Sequence, residues 1–300
     1  MSTATPRFGR VSTAMVTPFD EEGALDLNAA QALARHLASH GSEALIVAGT
    51  TGEAPVLSDD ERLSLIAAVA EAVTIPVVAG TTTNDTAHSV GLTRQAASLG
   101  AAAVLAVTPY YNRPSQSGLL GHFGAVAQAT QLPVILYDIP IRTGRTIATA
   151  TTLELARTQA NIVGVKEASG DVAAAAELVA AAPAGFELYS GDDALTLALM
   201  AIGAVGVISV AAHWVGPEMA ACLEAFVAGE LAQAISLDAG LLGSYRFEST
   251  ERWPNPLPSK AMLRAQGHRV GQCRLPMGPA DAELDAAAVA LCRELEVSRG

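Results

Sequence analysis

The chain has 300 residues, half of them hydrophobic, and a net charge of −12. That length suits one large domain with a sizeable core, and with no cluster of Lys and Arg to offset the acidity, nucleic acid and anionic membrane surfaces are excluded as natural partners. An anionic substrate would meet a repelling field, so a local cation would have to hold it.

The N-terminal stretch MSTATPRFGRV lacks the apolar segment of a secretory leader. Apolar, β-branched runs then recur at 11–17, 44–49, 76–80, 103–108, 134–137, 162–165, 186–189 and 205–210, roughly 20 to 33 residues apart. That is the spacing of βα units. The runs do not alternate polar with apolar, which indicates parallel strands buried on both faces. Amphipathic stretches at 27–39, 59–73, 85–98 and 117–130 read as the connecting helices, and Ser58 ahead of Asp59-Asp60-Glu61 forms a capping box. The uncharged stretch 194–212 is long enough to suggest a membrane span. Gly203, Gly206 and Ser209 interrupt it, and it reads better as a buried helix followed by a buried strand. Asp193 ahead of it is expected to cap that helix.

Eight strands with eight crossovers predict an α/β fold, a (β/α)₈ barrel over residues 1–215. An open doubly wound sheet would carry a glycine-rich fingerprint after its first strand; here Thr17-Pro18-Phe19-Asp20 follows instead. Stretches 217–228, 230–245, 258–266 and 280–297 read as helices, so 216–300 is expected to be a C-terminal helical extension packed on the barrel as one unit. The cysteines, Cys222, Cys273 and Cys292, have no CxxC or metal-ligand spacing and read as hydrophobes of a reducing cytoplasm. The six histidines offer no ligand spacing; His36 and His40 are four apart, with no third ligand nearby in sequence.

A barrel places its active site at the C-terminal ends of its strands. The chain has eighteen basic residues, of which only Lys166 and Lys260 are lysines. Arginine is the default cation, so Lys166 at the end of an apolar strand asks for an amine specifically. A desolvated amine can lose its proton and add to a carbonyl, which arginine cannot do. A lysine paired with Glu167 is the plain alternative. Three of the five tyrosines, Tyr110, Tyr111 and Tyr137, stand at adjacent strand ends, where a hydroxyl can both give and take a proton; rim packing is the alternative. Gly49-Thr50-Thr51-Gly52 could turn its backbone N–H groups and hydroxyls toward a small carboxylate, or be an ordinary strand-to-helix turn. Arg142, beyond Ile139-Pro140, could supply the local cation or be a solvated loop arginine.

Together the strings GTTGE (49–53), TPYYNRPSQ (108–116), YDIPIRTG (137–144), VGVKEASGD (163–171), SGDDAL (190–195), GVISV (206–210) and NPLPSK (255–260) resemble the dihydrodipicolinate synthase family of the N-acetylneuraminate lyase superfamily. The resemblance spans about residues 8–296 and includes both lysines. It implies that Lys166 forms a Schiff base with pyruvate. Thr50, Tyr111 and Tyr137 would form a proton relay, with Tyr111 reaching into a neighbouring subunit's site. Thr51 would hold the pyruvate carboxylate, and Arg142 would meet the carboxylate of L-aspartate-4-semialdehyde. Gly191 and Ile208 would line the keto-acid pocket. Neither a metal nor an organic cofactor is implied; the partners would be these small substrates, in a cytoplasmic homotetramer built as a dimer of dimers.

Two departures stand out. The family's strand-five motif often reads tyrosine-asparagine, where this chain has Asp138. Asn84 and Tyr110 match the lysine feedback site of some members, but Ala54, Asp59, Arg62 and His88 do not match the serine, histidines and glutamate of the feedback-sensitive enterobacterial type. Weak or absent inhibition by lysine is expected. The nearest rival is a sister enzyme with the same lysine chemistry: N-acetylneuraminate lyase, or a 2-keto-3-deoxy-sugar-acid aldolase or dehydratase. GTTGE rather than GSTGE, Tyr111 and Arg142 favour the synthase. A non-catalytic binding protein would be expected to lose the lysine or the relay, and a membrane-associated one would rest on the 194–212 run.

Overall fold

The computed structural model describes residues 5–299. The first four residues of the stretch read as lacking a leader segment, and Gly300, lie outside the described residues. Eight strands form in chain order: β1 (Val11–Ala14), β2 (Ala44–Val47), β3 (Val77–Gly80), β4 (Ala103–Val107), β5 (Val134–Asp138), β6 (Ile162–Glu167), β7 (Glu187–Ser190) and β8 (Gly206–Ser209). They are parallel and close into a barrel in sequence order, with β8 returning to β1 through Val11↔Val207. Each predicted run overlaps one of these strands, with β5, β6 and β7 extending one or two residues past the predicted ends.

The strands are buried on both faces, which is why their sequences do not alternate. Inward side chains such as Ala14, Ile46, Val78, Leu105, Ile135, Tyr137, Tyr189 and Ile208 fill the barrel as one apolar cluster. Outward side chains pack under the helices: α1 (Leu27–Ser39), α2 (Asp59–Ala72), α3 (Thr86–Ala96), α4 (Gln116–Gln128), the single turn α5 (Pro140–Thr143), α6 (Thr149–Thr158), α7 (Val172–Ala181) and α8 (Thr196–Ala201). The Ser58 capping box is formed: Glu61 N–H donates to Ser58 Oγ at 3.2 Å and Ser58 N–H to Glu61 Oε2 at 2.9 Å.

One irregularity positions the chemistry. Val134 of β5 pairs with Ile162 of β6, but Ile135 pairs with Gly164, so Val163 is an extra residue in β6. Beyond this bulge Tyr137 lies opposite Lys166 and Asp138 opposite Glu167.

The uncharged 194–212 stretch is α8 followed by β8. No helix among the described residues is long and apolar enough to cross a membrane. Asp193 does not cap α8, contrary to expectation. Asp192 caps the short turn at 193–195, accepting from Ala194 N–H at 3.0 Å. Asp193 Oδ2 instead crosses to the end of β8, accepting from Ser209 Oγ (3.0 Å), Val210 N–H (2.9 Å) and Ala211 N–H (2.8 Å). Sequence proximity favoured the local cap, but three donors from one strand end outcompete it.

After β8 come α9 (Ala212–Ala228), α10 (Leu231–Phe247), α11 (Leu257–Ala265) and α12 (Ala282–Arg299). Val215 leaves helical geometry inside α9, just before Gly216-Pro217. α9 packs on β1 and α10, and α11 packs on α9 and α12. Trp214 Nε1 donates to Ser244 Oγ at 3.0 Å within this layer.

Candidate active site

Strand ends bring most of the candidate residues together. In the parallel register Lys166 is flanked by Tyr137 on β5 and Tyr189 on β7. Facing residues of a pleated sheet share a face, so all three turn inward while Asp138 and Glu167 turn outward. Lys166 is only 4% exposed, and its Nζ lies 4.5 Å from the centroid of the Tyr137 ring. Thr108 Oγ1 donates to the Tyr137 carbonyl at 3.0 Å, steadying that strand end.

A cleft of about 760 Å³ opens there, and Thr50, Thr51, Tyr137, Arg142, Lys166 and Gly191 all line it. Gly191 is required by packing. A Cβ on it would stand 2.8 Å from Ala168 Cβ and 3.0 Å from both Glu167 O and Lys166 Cε. The Gly191 N–H donates to Glu167 O at 2.6 Å, holding the backbone against the lysine stem. Ile208 is buried on β8, in the same apolar cluster as Tyr137.

Tyr111 is not brought to this cleft. It is 90% exposed and has φ +73°, a backbone region a tyrosine enters only when its surroundings enforce it. Its loop is tied to the Arg142 loop: Arg113 Nε donates to Gly144 O at 2.9 Å and Arg145 Nη2 to Arg113 O at 3.1 Å. Ile141, on that second loop, is also 90% exposed.

Asn255 carries a contact that sequence reading missed. Its Nδ2 donates to Thr51 Oγ1 at 2.9 Å, its Oδ1 accepts from Ser259 Oγ at 3.0 Å, and its carbonyl accepts from Arg142 Nη2 at 3.0 Å. One residue of the C-terminal extension thus joins the two cleft loops. NPLPSK was visible as a motif, but a contact 204 residues along the chain leaves no local pattern. Tyr245, Glu248 and Ser249 complete the same wall.

Burial dominates the carboxyl groups around the cleft. Asp138, 4% exposed, is pushed up to about 6 by burial, although Thr146 Oγ1 (2.7 Å) and Ile147 N–H (3.0 Å) donate to its Oδ2. Its Oδ1 is buried without a hydrogen-bond partner. Burial raises Glu167 as well. Glu248 is raised well above the carboxylate range by burial and by Asp193 beside it. The cationic side chains lining the cleft are Lys166 and Arg142, and the acidic ones are Asp192, Glu248 and Glu251, of which Glu248 and Asp192 are raised by burial.

The lysine-site positions are filled differently from the feedback-sensitive pattern. Arg62 is 3% exposed, its guanidinium donating to Ala54 O at 2.8 Å and Gly80 O at 3.4 Å. His88 Nε2 meets Asp59 Oδ2 at 2.9 Å. Folding brings His268 beside His36, with ring centroids 4.3 Å apart and the rings tilted, while His36 stacks on His40 at 3.9 Å. No group of three His, Cys, Asp or Glu arranged to hold a metal ion occurs among the described residues.

Residues 7–294 match the Dihydrodipicolinate synthetase family. The chain is 50% identical over 273 residues to the 4-hydroxy-tetrahydrodipicolinate synthase of Moorella thermoacetica, covering 90% of this chain and 92% of that one. Its fold is similar to the dihydrodipicolinate synthase of Bacillus anthracis, with a TM-score of 0.92, 40% identity and coverage of 96% and 99%. It is equally similar to the lysine-bound enzyme of Cyanidioschyzon merolae, with a TM-score of 0.93, 41% identity and 98% of both chains covered.

Proposed function

Since this chain belongs to the dihydrodipicolinate synthetase family, we propose that it carries out the reaction for which its relatives are named, as a 4-hydroxy-tetrahydrodipicolinate synthase. It is a lyase of the class I aldolase type, and it condenses pyruvate with L-aspartate-4-semialdehyde on the route to lysine and diaminopimelate. The observation that carries the residue assignment is the near-buried Lys166 amine over the Tyr137 ring, in a cleft shared with Thr50, Thr51, Arg142 and Gly191.

The amine of Lys166 adds to the pyruvate ketone, and the carbinolamine loses water to give an iminium. A methyl proton leaves to give the enamine. The enamine carbon attacks the aldehyde carbon of the second substrate, forming the new C–C bond, and the aldehyde oxygen takes up a proton. The substrate's own amine then closes on the iminium carbon and displaces Lys166, which returns as free amine. One water is released overall.

Each proton movement needs a hydroxyl nearby. Tyr137, whose ring lies 4.5 Å from the Lys166 amine, is the first member of the relay, with Thr50 in the same cleft and Tyr111 supplied by a neighbouring subunit. The exposure of Tyr111 and its enforced backbone support that exchange. Thr51 and the N–H groups of its turn receive the pyruvate carboxylate, Arg142 receives that of the semialdehyde, and Gly191 and Ile208 shape the keto-acid pocket. The same reading makes the barrel and its C-terminal helices one catalytic unit, in a cytoplasmic homotetramer arranged as a dimer of dimers.

Steady-state turnover of pyruvate and L-aspartate-4-semialdehyde, coupled to the next reductase, tests this for wild type and Lys166→Arg. Efficient turnover abolished by the substitution is expected. Borohydride reduction with pyruvate should add mass to wild type only. A folded wild type with no turnover would overturn the second substrate; one with no pyruvate adduct would overturn the Schiff base.

A further inference from the structure

Lys260, the chain's other lysine, takes no part in the chemistry above, yet it too stands where arginine is the default cation. It lies on α11 and is fully buried. Its Nζ is 2.6 Å from Glu53 Oε1, 3.0 Å from the Gln272 carbonyl and 4.1 Å from the centroid of Phe19. The Arg274 guanidinium also stands 4.1 Å from the Phe19 centroid. Two acceptors and an aromatic face suit a compact ammonium; the five N–H donors of a guanidinium would be left largely unsatisfied there.

Glu53 closes the turn that carries Thr50 and Thr51. It is 3% exposed and left-handed, with φ +56°. Its N–H donates to Thr50 O at 3.0 Å, and its Oε2 accepts from Arg274 N–H at 2.9 Å. The turn is therefore held at three points: Thr17 Oγ1 on Gly52 O at 2.6 Å, Asn255 on Thr51, and Lys260 with Arg274 N–H on Glu53. Neither Glu53 nor Lys260 lines the cleft. A buried ion pair is a poor source of net stability compared with apolar side chains of the same volume, and a left-handed glutamate adds local strain. Both features make sense if what is gained is geometry.

We propose that Lys260 and Glu53 are positioning residues for the reaction: the buried pair locks the 49–53 turn so that the Thr50 hydroxyl and the Thr51 carboxylate site stay aligned with Lys166. This rests on the roles given to Thr50, Thr51 and Lys166 above. It makes the C-terminal extension a requirement for keto-acid binding, although it supplies no nucleophile.

The test is the double variant Glu53→Leu/Lys260→Met, which removes both charges while keeping the volume filled, with Glu53→Asp as a conservative single change. Folding is checked by circular dichroism and a cooperative melt. The readouts are KM for pyruvate, KM for the semialdehyde, kcat, and the rate of borohydride trapping of pyruvate on Lys166. A displaced turn should raise the pyruvate KM about tenfold or more and slow trapping by a similar factor, leaving the semialdehyde KM within about threefold. A folded double variant with pyruvate KM and trapping rate within twofold of wild type overturns the proposal, as does an equal rise in both KM values. If the double variant does not fold, Glu53→Asp decides: it should move the pyruvate KM and trapping rate in the same directions, and unchanged values overturn the proposal. A wild type that pyruvate does not label would instead overturn the assignment of Lys166, so the two failures are distinguishable.

Discussion

Gly191→Ala places one methyl group against the stem of the nucleophile. The added Cβ would stand 2.8 Å from Ala168 Cβ and 3.0 Å from Glu167 O and Lys166 Cε. Carbon pairs settle at about 3.5–4.0 Å, so each carbon contact is short by roughly 0.5–1 Å. Ala168 Cβ and Glu167 O are fixed by their backbone, and the Gly191 N–H bond to Glu167 holds the loop. The flexible lysine stem yields, and its amine moves by an amount of the same order. A misplacement of about 1 Å can cost about a hundredfold in rate. The expected loss in kcat/KM is therefore roughly 10- to 100-fold, or about 1.4–2.7 kcal/mol of transition-state stabilisation. Overpacking should lower stability by only about 1–3 kcal/mol, leaving a folded protein to assay. Gly121→Ala is the control, since a Cβ there meets nothing within 4 Å. The assay is coupled turnover together with borohydride trapping by pyruvate. A folded Gly191→Ala variant that keeps kcat/KM and the trapping rate within twofold of wild type refutes the reasoning.

Other consequences can be measured separately. The native pKa of Asp138 is raised to about 6 from 3.8, so the folded state binds this proton more tightly than the unfolded state. Its contribution to stability is full below about pH 4 and is lost as pH rises through 6, by up to roughly 3 kcal/mol. Asp138→Asn should remove that slope and offer an N–H where Oδ1 has no partner; identical urea-derived pH profiles for variant and wild type between pH 4 and 7.5 would refute this. L-Lysine should inhibit weakly or not at all, because Ala54, Asp59, Arg62 and His88 depart from the feedback-sensitive pattern and the Arg62 guanidinium is buried against backbone carbonyls; titration in the coupled assay checks it, and sub-millimolar inhibition would sink the idea. Ser58→Ala should lower stability by about 1 kcal/mol through loss of the capping box, and an unchanged melting temperature would count against that role.

The parts of the fold legible in sequence were those written in local patterns. Unbroken apolar runs located β1 to β8, the Ser58 box located the start of α2, and rarity singled out Lys166. What the sequence hid was non-local. Asn255 meets Thr51 only after the C-terminal helices fold back over the barrel, and Asp193 turns to β8 because donors there outnumber those of its own turn. Tyr111 could be named but not placed from one chain's pattern. The extra residue at Val163 also left no trace, since Ile162-Val163-Gly164-Val165 reads as a uniform apolar run.

The bulge that sets this extra residue aside decides the parity of the whole strand end. Were Val163 paired in a regular ladder instead of bulged, Tyr137 would face Val165, and Lys166 would take the outward phase beside Asp138, under the helices. The acidic Glu167 would then point into the barrel mouth. Whether β6 offers the cleft an amine or a carboxylate is thus an odd-or-even property of a single strand. Changing Lys166 itself would remove one amine; pairing Val163 into the ladder would exchange that amine for a carboxylate with no change of sequence, whereas deleting Val163 would leave Tyr137 opposite Lys166.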